Sequence, residues 1–408
     1  MAEEKKDKTG AKYVLRAIAA KATQDAFDAK ARGEKIGWCA SNFPQEIPET
    51  LGLHVVYPEN QAAAIGARGA GQEMCEHAEG MGFSNDLCAY ARISMAYADL
   101  KKCPNGEAEL PEPDFLLCCT NICTCMMSWY ESIGKMLDIP VIMVDIPFND
   151  KFEVDDKRAA YVRGQFQSAI KQLEEITGKK WDDERFKQVM ATSQRSARAW
   201  LKAASYANYK PSPLNGFDLF NHMAVAVVAR GKETAADAFE QLANEYEQFV
   251  REHKSTYKVE EKHRILFEGI ACWPYLRATS HPLKEAGINV TGTVYAAAFG
   301  VLYNNTDELY RVYYNVPNCL NLERATKLRE DACRDGKVDA ALVHINRSCK
   351  MWSGIALEMG RRIENDLKIP VVTFDGDQAD PRNFSEAQYD TRIEGMTEIM
   401  ENNKRKGE

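Results

Sequence analysis

The chain has 408 residues, of which 45% are hydrophobic and 27% are charged, and its formal net charge is -8. This length exceeds what one hydrophobic core usually supports and predicts two or three domains. The acidic balance argues against nucleic-acid binding through bulk charge, and no apolar run approaches the roughly 18 residues that a membrane span needs.

The predicted elements begin after a charged N-terminal segment. Residues 1–12 lack the apolar core and cleavage site of a secretion signal, so they are expected to form a disordered tail on a cytoplasmic protein. A helical pattern covers residues 12 to about 32, and the short strand after it ends in Ser41. The next apolar stretch, residues 53–59, predicts a second strand with Glu59 at its end.

One structural unit occurs twice in the chain. Residues 114–143 and residues 339–373 each begin at an Asp, pass through an apolar stretch and an Asn to a Cys, and reach Ile-Pro-Val after an amphipathic segment. This order predicts a strand, a helix and a parallel strand. Because ligands gather at the carboxyl ends of such strands, Cys123 and Cys349 are expected at strand-to-helix turns of a binding site. Cys88 is a third cysteine at a predicted helix start.

The rest of the chain completes an α/β pattern. Strand signals are missing from about residue 153 to residue 260, where long segments are apolar at helical spacing. Strands return over residues 264–272, 289–296, 340–346 and 371–377, and a final helix follows. We therefore predict two related parallel-sheet domains of flavodoxin or Rossmann type at residues 13–152 and 261–408, with a helical domain or cap at residues 153–260 between them.

The chain contains twelve cysteines, and most of them are predicted to be buried. Disulfides are not expected in a protein without an export signal. Cysteines without a partner at ligand spacing are interpreted as small buried hydrophobes, and they are Cys75, Cys103, Cys118, Cys119, Cys272, Cys319 and Cys333. The pair Cys123 and Cys125 is a weak metal signal by itself, and the paired C-x-x-C elements of structural zinc sites are missing.

Two further patterns bear on ligands. Residues 375–382, DGDQADPR, alternate carboxylates but lack the spacing and terminal Glu of a calcium loop, so they are interpreted as a loop near the predicted site or a subunit interface. The chain has no G-x-x-x-x-G-K-[ST] and no strand-linked G-x-G-x-x-G, so neither ATP nor a dinucleotide is expected as its ligand.

Several ordered segments resemble a known family, and the likeness covers nearly the whole chain. They are GWCAS, VYPEN, DLCAYAR, DFLLCCTNIC, PSPLNGFDLF, HINRSCK and FDGDQADPRNF. Together they resemble the larger subunit of the (R)-2-hydroxyacyl-CoA dehydratases, which act on 2-hydroxyisocaproyl-, lactoyl- or phenyllactyl-CoA. The chain is more distantly similar to 2-hydroxyglutaryl-CoA dehydratase and benzoyl-CoA reductase.

The resemblance implies an activity, a cofactor and partners. The activity is radical dehydration of an (R)-2-hydroxyacyl-CoA to the (E)-2-enoyl-CoA through a ketyl radical anion. The cofactor is an oxygen-sensitive [4Fe-4S] cluster held by Cys88, Cys123 and Cys349, with one iron open to a substrate oxygen. The implied partners are a homologous smaller subunit, which completes a heterodimer, and an ATP-dependent iron-sulfur activator protein that supplies the electron.

The resemblance also assigns Ser41 and Glu59 to the active site. Glu59 is expected to assist proton transfer, and Ser41 to hydrogen-bond the thioester or the iron-bound oxygen. The structural alternatives are a helix N-cap for Ser41 and a surface salt bridge for Glu59. His344 and Arg347 precede Cys349 and are candidate donors to cluster sulfide or substrate, with a packed core histidine as the alternative for His344.

Three other functions stay open at this point. The chain is alternatively the electron-relay partner subunit of the same dehydratase, although Ser41 and Glu59 and the chain length favour the substrate-binding subunit. A benzoyl-CoA-reductase-like subunit is a second alternative. A non-redox α/β scaffold, with zinc or without metal, is the third.

Overall fold

The computed structural model describes residues 9–407. Most of the predicted disordered tail, residues 1–8, lies outside the described residues, and helix α1 (Ala11–Ala31) begins soon after them. Among residues 9–407, no helix combines the length and the apolar character that crossing a membrane requires.

The first sheet has four parallel strands in the order β2-β1-β3-β4. The strands are β1 (Ile36–Cys39), β2 (His54–Val56), β3 (Phe115–Cys119) and β4 (Val141–Val144). Every residue of the central strands β1 and β3 is buried, because helices cover both faces of a parallel sheet.

The second sheet repeats the first. Its four parallel strands have the order β6-β5-β7-β8, so the connection pattern is the same in both halves. The strands are β5 (His263–Glu268), β6 (Ile288–Gly292), β7 (Ala340–Asn346) and β8 (Val371–Gly376). The predicted fold class, with two related parallel sheets, is confirmed.

Helices connect the strands and fill the region between the sheets. Those of the first half are α2 (Glu46–Thr50), α3 (Pro58–Ala67), α4 (Gly71–Gly80), α5 (Ala89–Leu100) and α6 (Thr124–Leu137). Those between the sheets are α7 (Asp156–Thr177), α8 (Asp183–Ser205), α9 (Phe217–Val228) and α10 (Glu233–Arg251).

The second half contains six α-helices within the described residues. They are α11 (Leu276–Glu285), α12 (Val294–Ala297), α13 (Thr306–Val312), α14 (Leu322–Gly336), α15 (Lys350–Leu367) and α16 (Glu386–Gly407). Short 3-10 helices lie at Tyr206–Asn208, Trp273–Tyr275, Tyr313–Asn315, Pro317–Cys319 and Pro381–Asn383.

The helices between the sheets pack on their apolar sides. In α8 and α10 the rings of Trp200 and Phe239 lie 5.2 Å apart, and both side chains are buried. Helix α1 also packs against α9 and α10, so the N-terminal helix covers this layer. This arrangement places α1 beside α3, at one end of the first sheet, where the site described below is found.

Three predicted strands extend three or four residues too far. The strand predicted over residues 264–272 ends at Glu268. The second strand ends at Val56 rather than at Glu59, because Pro58 starts α3 with its fixed backbone angle at the first helical position. The strand predicted over residues 289–296 ends at Gly292, and the short helix α12 takes up the residues from Val294 onward.

Candidate active site

Three cysteines stand at helix N-termini. Cys88, Cys123 and Cys349 each occupy the position immediately before a helix, at α5, α6 and α15. Cys123 and Cys349 follow the third strand of their halves, as the repeated unit predicts. Of the twelve cysteines, only these three and Cys125 are partly exposed, and the others are buried.

The three thiols are close enough to influence one another. Burial raises the pKa of the Cys123 thiol to about 12, and the negative charge of Cys349 adds to the effect. Burial likewise raises the pKa of Cys88, and the charges of Cys349 and Cys123 raise it further. Backbone N–H groups in the first turn of each following helix oppose these shifts, since they stabilise the thiolate. The turns therefore present thiol groups from both halves to one region.

The donor set has the chemistry that an iron-sulfur cluster requires. Within the described residues, no three His, Cys, Asp or Glu side chains converge closely enough to hold one metal ion. The thiolates that hold a cubane bind different iron atoms, so they need not meet at one point. Soft anionic sulfur is also the donor that iron-sulfur clusters take. The residues that would hold such a group are Cys88, Cys123 and Cys349.

The loop after β8 contacts the first of these cysteines. Gln378 Nε2 donates to Cys88 Sγ at 3.1 Å. Ser348, just before Cys349, accepts a hydrogen bond from the Ala89 backbone N–H at 3.0 Å. The second half therefore fixes the start of α5 in the first half. Sequence reasoning did not identify Gln378 as a site residue. The only indication in the sequence was its position between Asp377 and Asp380 in a loop that follows a predicted strand.

The carboxylates of that loop have protein partners. Asp377 accepts hydrogen bonds from the backbone N–H groups of Ala379 and Asp380 at 3.0 and 3.1 Å. Asp380 pairs with Arg92 at 2.9 Å and with Arg382 at 2.6 Å. These contacts shape the loop and fix Gln378 beside Cys88.

Ser41 and Glu59 lie in direct contact. Ser41 donates to Glu59 Oε1 twice, from its backbone N–H at 3.0 Å and from its hydroxyl at 2.9 Å. Tyr130 donates to Glu59 Oε2 at 3.4 Å. Both residues are buried, each with 8% exposure, and Glu59 forms no ion pair with another described residue. Burial raises the pKa of Glu59, and the hydrogen bonds from Ser41 partly oppose that shift.

The two structural alternatives for this pair do not match the geometry. The residue preceding α2 is Gln45, so Ser41 does not cap that helix. Glu59 is a buried residue in the first turn of α3 and not a surface ion-pair partner.

A buried arginine, Arg230, contacts the segment between β1 and α2 that contains Ser41. Arg230 Nη2 donates to the Ser41 carbonyl oxygen at 3.5 Å, and Arg230 Nε donates to Gln45 Oε1 at 3.3 Å. The nearby carboxylate of Glu46 accepts hydrogen bonds from Tyr303 and Tyr313 at 2.9 and 2.7 Å. These residues come from distant parts of the chain, and no local sequence signal indicated them.

His344 is packed in the core, and Arg347 lies at the surface. His344 is buried, donates from Nδ1 to the Ile270 carbonyl at 2.7 Å, and stacks on Phe374 with ring centroids 4.8 Å apart. Burial lowers its pKa, so the ring is neutral near pH 7. Arg347 is exposed and pairs with Asp375 at 2.7 Å. The contacts of His344 are those of the packed core histidine that was its alternative.

A cavity of about 730 Å³ opens beside Ser41 and Glu59. Aromatic residues form much of its inner wall, and they are Tyr90, Phe220, Trp273, Tyr295 and Phe299. It shares Arg16, Asn60, Ala64 and Arg68 with a neighbouring cavity of about 480 Å³, so the two form a continuous groove between α1 and α3. A groove of about 850 Å³ between α11 and α16 contains none of the predicted site residues.

The cavity is also close to the cysteines. Tyr295 lines it, and the charges of Glu59, Cys349 and Cys88 all raise the pKa of this tyrosine. The charge of Glu59 likewise raises the pKa of Cys123, so the cavity lies near all three cysteines, and both halves contribute to it.

The sequence matches the family described as 2-hydroxyglutaryl-CoA dehydratase, D-component, over residues 40–400. The chain belongs to this family. Membership confirms the predicted resemblance, and it confirms the prediction of an enzyme of the lyase class, a dehydratase subunit.

Individual relatives align over almost the full chain. The (R)-phenyllactyl-CoA dehydratase alpha subunit of Clostridium sporogenes is 61% identical over 390 residues, which covers 96% of this chain and 95% of that protein. The (R)-2-hydroxyisocaproyl-CoA dehydratase alpha subunit of Clostridioides difficile is 46% identical, with 98% of each chain covered. The (R)-2-hydroxyglutaryl-CoA dehydratase subunit alpha of Acidaminococcus fermentans is 45% identical, with coverage of 96% and 98%.

Proposed function

We propose that the chain is the cluster- and substrate-binding subunit of an (R)-2-hydroxyacyl-CoA dehydratase. It would form the (E)-2-enoyl-CoA by radical elimination of water through a ketyl radical anion on the substrate. The observation that carries the proposal is that the three cysteines at helix N-termini, which come from both halves, lie close enough to Glu59 or Tyr295 in the cavity wall for their charges to interact. Family membership supports the dehydration itself.

The reaction is difficult for ordinary side chains. Hydroxide must leave from the carbon next to the thioester carbonyl, and a proton must leave from the β-carbon, which the carbonyl does not acidify. A [4Fe-4S] cluster held by Cys88, Cys123 and Cys349 would supply one-electron and Lewis-acid chemistry. One electron added to the thioester expels the hydroxyl and makes the β-hydrogen far more acidic. The electron returns at the end of each turnover, so the dehydration is redox-neutral.

Glu59 is the residue that would move the proton. Its carboxylate lies in a buried cavity, and burial raises its pKa toward the range in which a carboxylate is an effective base. Ser41 fixes one carboxylate oxygen with two hydrogen bonds, which leaves the other oxygen to Tyr130 and the cavity. Ser41 would thus orient the base as well as contact substrate.

The groove between α1 and α3 is the proposed binding site of the coenzyme. An acyl-CoA is long, and the two joined cavities extend from Ser41 and Glu59 to the protein surface between α1 and α3. Small residues line much of this path, namely Ala19, Ala63, Ala64, Ala67 and Ala224, and they leave room for an extended pantetheine arm. Lys12, Arg16 and Arg68 line the same groove and would meet the phosphates of the nucleotide end.

The inner wall favours an apolar acyl group. Phe220, Tyr295 and Phe299 present rings to the cavity next to Glu59, and Met223 and Leu276 add aliphatic surface. We propose an aryl or large apolar side chain on the substrate, in agreement with the 61% identical relative, which is named for phenyllactyl-CoA. A ring would bury more apolar surface here than a methyl group.

Two protein partners follow from the same proposal. The relatives are named as alpha subunits, which supports a partner subunit for this chain. We propose that this partner is the homologous smaller subunit and that a separate ATP-dependent iron-sulfur activator delivers the first electron. The missing nucleotide-binding motifs are in keeping with that division.

The test is an anaerobic assay of the complete system. The chain is co-expressed with the partner subunit and activator, and dehydration is started with ATP across a panel of (R)-2-hydroxyacyl-CoA esters that includes phenyllactyl-, isocaproyl-, glutaryl- and lactoyl-CoA. We expect turnover that requires ATP and is fastest with phenyllactyl-CoA. Failure to dehydrate any ester, or zinc in place of about four irons and matching sulfide per chain, would contradict the proposal.

A further inference from the structure

The duplicated fold pairs Glu59 with Tyr295. Strand β2 is followed by α3, and strand β6, which occupies the same place in the second sheet, is followed by α12. Glu59 is the second residue of α3, and Tyr295 is the second residue of α12. Both line the 730 Å³ cavity, so each half contributes one polar side chain from the same position of its topology.

The Tyr295 ring is held on several sides. It stacks with Phe220 at a centroid distance of 6.3 Å and meets Phe299 and Trp352 edge-on at 6.0 and 6.2 Å. These contacts fix the direction of the phenol, because an aromatic side chain packed in this way has little rotamer freedom. Rigid placement of this kind is what a hydrogen-bond donor in an active site requires.

Trp273, Tyr90 and Tyr295 line the same cavity. Trp273 donates from its indole nitrogen to the Tyr90 hydroxyl, and an indole can only donate. The Tyr90 hydroxyl therefore keeps its own proton for another acceptor, and Tyr90 lies near enough to the Tyr295 oxygen to lower the pKa of Tyr295. The larger effect is burial, which raises that pKa and keeps the phenol protonated at neutral pH. The remaining Tyr295 proton is then available to the cavity.

We propose that Tyr295 is a catalytic residue that donates a hydrogen bond to the thioester carbonyl oxygen of the acyl-CoA; this role rests on the proposed function. Negative charge develops on that oxygen when the thioester gains an electron. The carboxylate of Glu59 repels such charge, whereas the phenol from the other half stabilises it. The proton stays on Tyr295 throughout, so no group is transferred in this step.

The direct test is Tyr295→Phe, which removes one hydroxyl and keeps the ring. We expect kcat to fall by about 100- to 1,000-fold, the usual effect of deleting one oxyanion donor, with little change in KM. Iron content and the electron paramagnetic resonance spectrum should match the wild type. The control is Tyr161→Phe, because its exposed hydroxyl bonds Asp145 and neither residue lines the cavity, and it should retain full activity.

A second measurement needs no turnover. Saturated 3-phenylpropanoyl-CoA with ¹³C at the thioester carbonyl lacks the leaving hydroxyl, and its carbonyl stretch reports hydrogen bonding by infrared difference spectroscopy. The stretch should lie at higher frequency in Tyr295→Phe than in the wild type. Replacement of Tyr295 by 3-fluorotyrosine, a stronger donor, should lower it, and this decides the matter should Tyr295→Phe fold poorly.

The outcomes separate the two proposals. A wild-type complex that dehydrates no ester refutes the proposed function itself. Dehydration by the wild type, together with unchanged kcat and an unchanged carbonyl frequency in the Tyr295 variants, overturns the role of Tyr295 and leaves the proposed function standing.

Discussion

Glu59 Oε1 accepts two hydrogen bonds from Ser41, one from the backbone N–H and one from the hydroxyl. The two residues are 18 positions apart in the sequence, and the pairing of β1 with β2 brings them together. A buried carboxylate held in this way is costly to ionise, and its main partners are neutral. Such an arrangement is expected where a carboxylate must gain and lose a proton.

Glu59→Gln should lower activity and stabilise the protein. If Glu59 moves the β-proton, the amide lowers kcat by roughly 100- to 10,000-fold. Burial raises the folded-state pKa above the ordinary 4.5, so ionisation of Glu59 destabilises the fold as the pH rises through that pKa. Thermal unfolding at matched scan rates should show a higher midpoint for the variant at pH 7, and no difference below pH 4.5. A lower midpoint at pH 7 would contradict this assignment.

Ser41→Ala should shift the acidic limb of the pH profile. The Ser41 hydroxyl lowers the pKa of Glu59, and its removal leaves the Ser41 backbone N–H and the Tyr130 hydroxyl as donors. The pKa of Glu59 then rises, so kcat/KM should begin to fall at a higher pH than in the wild type. Ser41→Thr keeps a hydroxyl and is the matched control. If the acidic limb of the kcat/KM profile does not move in Ser41→Ala, Glu59 is not the titrating base.

The fold class could be predicted from the sequence because it depends on local periodicity. The unit at residues 114–143 recurs at residues 339–373, and both copies form the predicted strand, helix and strand. Within these units, Cys123 and Cys349 fall at the predicted turns because each strand is short and buried and each helix begins at a clear boundary.

The parts that could not be predicted depend on distant contacts or on one residue. Pro58 moved Glu59 from a strand into the first turn of a helix, yet the Glu59 side chain still reached Ser41. Gln378 contacts Cys88 across 290 positions, and Arg230 reaches the Ser41 carbonyl across 189. The periodicity of one segment cannot indicate such contacts, since they form only when distant segments of the chain pack together.

Removal of any one of the helix-capping cysteines should remove the cluster. In Cys88→Ala, Cys123→Ala and Cys349→Ala we expect loss of iron, of sulfide and of the visible absorption that a cluster gives. Cys103→Ala and Cys319→Ala are the controls, because both thiols are buried and neither residue immediately precedes an α-helix. Retention of the full iron content in any of the first three variants would exclude that residue as a ligand.

Gln378→Leu should make the cluster harder to reduce. The amide of Gln378 donates to Cys88 Sγ at 3.1 Å, and a hydrogen bond to a ligand sulfur stabilises the more negative, reduced state. Without it, the midpoint potential in an anaerobic redox titration should become more negative while the iron content is unchanged. Gln72→Leu is the surface control, since that exposed side chain hydrogen-bonds Glu76. An unchanged potential would show that Gln378 does not interact with a ligand sulfur in the loaded protein.

Arg16→Ala and Arg68→Ala should weaken coenzyme binding without slowing the chemistry. Both side chains are exposed and line the groove between α1 and α3, where the two joined cavities meet. An exposed charge pair contributes at most about 1 kcal/mol, so each variant should raise KM by about 2- to 5-fold and leave kcat unchanged. Added salt should reduce the difference from the wild type, because it screens phosphate contacts. Arg251→Ala, on the surface of α10, is the control. An unchanged KM in both groove variants, or a fall in kcat alone, would place the coenzyme elsewhere.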